Sequence, residues 1–79
     1  MTSITQDEIL KLIELQFGKR EVQISDRLAE HLGAESADVA NLVAATEERF
    51  GIRITESEIA RIFTPADLFE LVQKRLNET

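Results

Sequence analysis

Leu32-Gly33-Ala34-Glu35-Ser36-Ala37-Asp38 decides how the rest of this chain is read. The glycine turns the chain, and the serine beyond it opens a segment in which Val39, Leu42, Val43 and Thr46 recur at helical spacing as far as Phe50, with Gly51 as the stop. Serine is favoured at a helix N-terminus, where its oxygen can accept from an unpaired backbone N–H. That end also carries the positive pole of the helix dipole and free N–H donors, an arrangement suited to a phosphate group. Taken alone, the pattern describes an N-capped amphipathic helix.

The flanking segments read as helices too. Thr5-Gln6-Asp7-Glu8 fits a capping box with acidic residues at the positive helix end, so a first helix is expected from Ser3 or Thr5. Its apolar face would be Ile9, Leu10, Leu12, Ile13 and Leu15, and Gly18 would end it. From Phe17 to Glu35 the periodicity weakens. Ser25-Asp26-Arg27-Leu28 can start one helical turn, and Val22, Ile24 and Leu28 are expected to tuck beneath the helices and pin a long first loop. Downstream, Thr55-Glu56-Ser57-Glu58 is a second capping box, opening a short helix through Ile59 to about Ile62. Thr64-Pro65-Ala66-Asp67 starts the last helix, with Thr as cap and Pro at the first position. Phe63 and Leu68 are placed for a hydrophobic staple. Leu68, Leu71, Val72 and Leu76 form its apolar stripe, and Lys74 and Arg75 sit at the negative end. No segment alternates as a strand. The expectation is an all-α fold, a small four-helix bundle with a long first loop and a short third helix, forming a single domain over residues 1–79.

Composition narrows the function. Nine Lys and Arg against 15 Asp and Glu give a formal net charge of -6. Such a chain repels a phosphate backbone, so nucleic acid is not an expected partner, and it is steered instead toward basic protein surfaces. There is no apolar run of the roughly 20 residues a membrane span needs, and no leader-like N-terminus, so a cytoplasmic monomer is expected. With no cysteine and a single histidine, His31, neither a zinc site nor thiol chemistry of the chain's own is available. A Ser36–His31 pair lacks a third group to orient it. The acidic residues do not follow a calcium-loop pattern, and the three glycines are isolated and make no phosphate loop. No metal site and no independent enzyme is expected.

Leu32-Gly33-Ala34-Glu35-Ser36-Ala37-Asp38, Asn41-Leu42-Val43 and Glu47-Glu48-Arg49-Phe50-Gly51-Ile52-Arg53-Ile54 together resemble the acyl carrier protein family. That family typically reads Leu-Gly-Ala-Asp-Ser-Leu-Asp, then Glu-Leu-Val, then Glu-Glu-Phe and an isoleucine. The resemblance spans nearly the whole chain and implies a bundle of acyl-carrier type. It implies a 4'-phosphopantetheine arm attached to Ser36 by a phosphopantetheinyl transferase. It also implies delivery of acyl thioesters to acyl-loading and acyl-processing enzymes of fatty acid, lipid or polyketide biosynthesis through basic docking patches. The partner-facing residues it implies are Glu35, Ala37, Asp38, Asn41, Glu47 and Glu48. Asp38 is equally explained by the helix dipole, whereas Glu47 and Glu48 lie near the negative end, which favours a partner-facing role for those two.

The departures are specific. Glu35 stands where the family has Asp, Ala37 and Thr46 where it usually has Leu, and Asn41 where it has Glu. They point to a specialised carrier. Ala40 is expected in the core, and Thr46 on or at the edge of the same face, with its hydroxyl returned to the carbonyl of Leu42. Two other readings stay open: an aminoacyl or peptidyl carrier, and a protein-interaction adaptor that keeps the fold without being modified.

Overall fold

In a computed structural model describing residues 3–78, the elements are α1 (Gln6–Phe17), α2 (Leu28–Leu32), α3 (Ser36–Phe50), α4 (Glu56–Ile59) and α5 (Pro65–Asn77), with no strand among the described residues. The long helices α1, α3 and α5 make the bundle: α1 packs on both α3 and α5, and α4 leans on α3. The extra element relative to the expected four is α2, a short helix set inside the long first loop. It starts at Leu28, three residues after Ser25, where the sequence offers its turn signal.

The three threonine caps expected at Thr5, Thr55 and Thr64 form. The Thr5 hydroxyl accepts from the Glu8 N–H at 3.2 Å, and the Glu8 carboxylate accepts from the Thr5 N–H at 3.1 Å, which settles the start of α1 at Gln6. Ile9 and Ile13 on α1, Leu42 on α3, and Leu68 and Val72 on α5 are fully buried where these helices meet. Each such side chain contributes roughly 1.5–3 kcal/mol of burial. Leu15 does not join them and is 78% exposed. At about 100° per residue it falls away from the arc centred on Ile9 and Ile13, so the buried stripe of α1 is narrower than its apolar residues.

The buried arc of α3 is Leu42, Val43 and Thr46. Thr46 is fully buried and its hydroxyl donates to the Leu42 carbonyl at 2.7 Å, as its spacing indicated. Ala40 is exposed, contrary to expectation. Three-residue spacing from Val43 places it beyond the arc, because the arc is centred on Thr46, on the far side of Val43.

The first loop is pinned. Val22 and Leu28 are buried and Ile24 is half-buried. The Glu14 carboxylate of α1 accepts from the Val22 N–H at 3.0 Å. The Leu28 N–H donates to the Phe63 carbonyl at 2.9 Å, and the Ala66 N–H donates to the Ile24 carbonyl at 3.1 Å. These bonds tie the loop to the chain entering α5, so a segment with little helix of its own has its polar backbone satisfied.

The α4 cap carries a charge of consequence. The Thr55 N–H donates to Glu58 at 2.9 Å, and the Glu58 N–H donates to the Thr55 hydroxyl at 3.2 Å. The Thr55 N–H holds the Glu58 carboxyl below its ordinary value; burial opposes this, and the Thr55 hydroxyl and the Arg75 guanidinium of α5 add to the lowering. A carboxylate depressed on folding adds stability above its unfolded value of about 4.5, and that stability is lost as pH falls through the lower folded value. Glu58→Gln, which keeps an oxygen in the cap but no charge, should therefore flatten the loss of stability below about pH 4.5. Urea unfolding of both proteins across pH 3 to 7 measures it, and parallel acid limbs would show that Glu58 is not a source of the pH dependence.

At α5 the Thr64 hydroxyl accepts from the Asp67 N–H at 3.2 Å, with Pro65 in the first turn. Of the two residues placed for a staple, Leu68 is fully buried and Phe63 is 55% exposed. The Asp67 carboxylate accepts from both the Phe63 N–H at 2.9 Å and the Thr64 N–H at 3.0 Å. Hydrogen bonds therefore set the angle at which the chain enters α5, and the Phe63 ring is left to another surface.

Candidate functional site

Gly33 ends α2 in the left-handed conformation, φ 69°, a region open to glycine at little cost. Two residues then carry the chain to α3. Glu35, in extended conformation, is the N-cap, and Ser36 is the first helical residue. This corrects the reading of Ser36 as the cap. The capping contact comes from Asp38, whose carboxylate accepts from the Glu35 N–H at 2.9 Å. The first intrahelical bond runs from the Val39 N–H to the Glu35 carbonyl at 3.0 Å, so the N–H groups of Ser36 and Ala37 are not used within the helix. Ser36 is exposed and its hydroxyl makes no hydrogen bond among the described residues. A primary hydroxyl released from capping, at the positive end of a 15-residue helix, is placed to take a phosphodiester.

Ser36 lies on the edge of a cleft of about 360 Å³ between α2, the start of α3 and the segment from α4 to Phe63. Leu28, Val39, Ile59 and Ile62 line its apolar part, with Arg27 and Phe63 also on its walls. The Arg27 guanidinium sits 5.8 Å from the centre of the Phe63 ring. Its Nε donates to the Glu30 carboxylate at 2.7 Å. Neither Arg27 nor Phe63 was singled out for this site by the sequence: one sat in a turn signal and the other beside a cap. Thr46 and Ala44 are not part of the cleft.

His31 is not in the cleft lining either. Its Nδ1 accepts from the Arg27 N–H at 2.7 Å, closing the start of α2, so the neutral ring carries its proton on Nε2. His31 thus has a structural partner, and nothing joins it to Ser36. Among the described residues no three His, Asp or Glu side chains gather as a metal site, and no helix is long and apolar enough to cross a membrane.

The other expected surface residues separate into two groups. Ala37, Asn41 and Glu48 are exposed on α3, with Ala40 and Ala44 on the same side, and Glu35 is exposed at its start. Glu47 is half-buried, and its carboxylate accepts from the Ile54 N–H at 2.8 Å. It therefore has a structural task that its position near the helix end did not reveal: holding the chain after Gly51 so that Ile52 and Ile54 are buried. Asp38 is half-buried and engaged in the cap.

Most of the chain, including the segment from α2 into α3, lies within a span that matches known proteins. A family model described as a phosphopantetheine attachment site matches residues 7–72. An acyl carrier protein of Wolinella succinogenes is 35% identical over 69 residues, covering 85% of this chain and 91% of that one. One from Buchnera aphidicola is 34% identical over 71 residues, covering 87% and 91%. The crystal structure of an acyl carrier protein from Thermotoga maritima superposes with a TM-score of 0.78 at 32% identity, covering 91% of this chain and 86% of that one. The solution structure of the oxytetracycline acyl carrier protein shares the fold, with a TM-score of 0.77 at 22% identity over 99% of this chain and 87% of that one. A helical carrier with a covalent 4'-phosphopantetheine, and not an enzyme, is what the fold and the matched span describe, and the chain belongs to the acyl carrier protein family.

Proposed function

We propose that Ser36 is the attachment residue for the arm and that the chain carries acyl intermediates between enzymes of fatty acid, lipid or polyketide biosynthesis. The observation that carries this is the exposed, unbonded Ser36 hydroxyl at the first position of α3, opening onto an apolar cleft. The arm supplies a terminal thiol for thioester formation. The chain's own residues supply the rest: Ser36 the hydroxyl, the N–H groups at the start of α3 a favourable field for the phosphate, and Leu28, Val39, Ile59 and Ile62 a surface that shelters an apolar cargo from water. The test is intact mass after incubation with coenzyme A and a broad-specificity phosphopantetheinyl transferase, followed by peptide mapping. A gain of one phosphopantetheine on the Ser36 peptide is expected. No gain with several transferases favours an unmodified adaptor, and loading with amino acids rather than acyl groups favours an aminoacyl or peptidyl carrier.

Docking on partner enzymes is proposed along the exposed side of α3, with Glu35 at one end, Glu48 at the other and Ala37, Asn41 and small alanines between. The small residues let a partner approach closely, and the two carboxylates meet basic groups. Glu48→Lys should weaken binding to the transferase or a loading enzyme roughly two- to fivefold, mainly by slowing association, and added salt should weaken the wild type in the same way. Glu47→Lys is not an equivalent probe, because it removes the acceptor of the Ile54 N–H and should cost about 1–2 kcal/mol of stability. Surface plasmon resonance against the transferase at low and high salt measures the first effect. Affinity indifferent to both Glu48→Lys and salt would mean that apolar contacts dominate the interface.

A further inference from the structure

We propose that Arg27 and Phe63 determine cargo specificity, selecting acyl chains that bear carbonyl oxygens over plain hydrocarbon chains; this rests on Ser36 as the attachment residue. The apolar walls of the cleft, Leu28, Val39, Ile59 and Ile62, accept either kind of chain. Arg27 and Phe63 do not treat the two alike. The Arg27 Nε is committed to Glu30, while no hydrogen bond of the described residues uses its two terminal amino groups. A guanidinium has five N–H donors in a fixed fork, so four are left without a partner in the chain on a half-exposed residue that lines the cleft. The guanidinium sits over the Phe63 ring, 5.8 Å from its centre, and the ring is 55% exposed, so it offers further apolar surface next to those donors.

Charge decides which acceptor fits. Glu30 offsets Arg27, and Glu35 adds a second carboxylate to the lining, so the cleft is net anionic and disfavours a carboxylate at the far end of a cargo. A neutral carbonyl oxygen accepts from Arg27 without adding charge, and a conjugated or aromatic acyl group also lies flat on Phe63. A saturated chain across the same place strips water from the guanidinium donors and returns no acceptor, which costs binding.

The experiment loads the protein from two coenzyme A analogues through a non-hydrolysable linkage: an octanoyl chain, and a chain of the same length bearing two oxo groups. Intact mass reports loading, and thermal unfolding and the Phe63 ring resonances report where the chain lies. The oxo chain should raise the unfolding midpoint about 4 °C above the octanoyl form, the size of one added hydrogen bond in a domain this small, and should shift the Phe63 resonances. Arg27→Met, which keeps an apolar stem but no donors, should erase the difference. Equal midpoints for the two wild-type forms, or a difference that survives Arg27→Met, overturns the proposal. Absence of any mass gain on Ser36 overturns instead the attachment on which it rests.

Discussion

Ser36→Ala should abolish loading completely and leave the fold as stable as before, within about 0.5 kcal/mol. The second half of that expectation comes from where Ser36 sits. At a true N-cap, replacing serine by alanine costs about 1 kcal/mol, because an orphan N–H loses its acceptor. Here the N-cap is Glu35, the capping contact is made by Asp38, and Ser36 occupies the first helical position with a free hydroxyl. Alanine is the best helix former, so nothing in α3 is lost. Intact mass after transferase treatment and a thermal melt of the same sample measure both halves. Mass gain that persists, or that appears on Ser3, Ser25 or Ser57, removes Ser36 from its proposed role. A melt lowered by a full cap's worth of stability would show that the hydroxyl holds α3 together.

Leu28→Ala should have the largest effect on stability. Leu28 is 2% exposed and anchors the long loop, its N–H bonded to the Phe63 carbonyl and its own carbonyl accepting from the Ala34 N–H, each at 2.9 Å. It also walls the cleft beside Ser36. Truncating a buried leucine costs about 2–5 kcal/mol, the upper end applying where neighbours cannot collapse into the space. A chain of this length has roughly 4–12 kcal/mol in total, so the variant sits near its unfolding threshold. The loop should loosen first, with faster amide exchange at Val22, Leu28 and Ala34 than in α1 or α5. Urea unfolding and hydrogen exchange measure these together. A loss below about 1 kcal/mol would mean that the backbone bonds, and not the packing of Leu28, hold the loop.

The helices and their ends were legible in the sequence because each signal is local. Thr5 with Glu8, Thr55 with Glu58 and Thr64 with Asp67 are three residues apart, and a helical turn brings such pairs together whatever surrounds them. The bond from Thr46 to the Leu42 carbonyl is of the same kind, four residues apart within one helix. The placement of a serine at the start of α3 needed only Gly33 and the apolar spacing after it.

Which apolar residue is buried, and which carboxylate is free, was settled by the packing of one helix on another. Leu15 and Ala40 lie outside buried arcs whose centres are fixed by the partner helices, α5 and α3 for the one and α1 and α4 for the other. Glu47 meets the Ile54 N–H only because Gly51 folds the chain back. Asp67 and the loop at Leu28 hold the backbone of Phe63, and its ring lies against Arg27, from a distant part of the chain. Spacing along a chain specifies what one helical turn can join; contacts between residues far apart depend on how the helices are set against each other, and no local pattern encodes that angle.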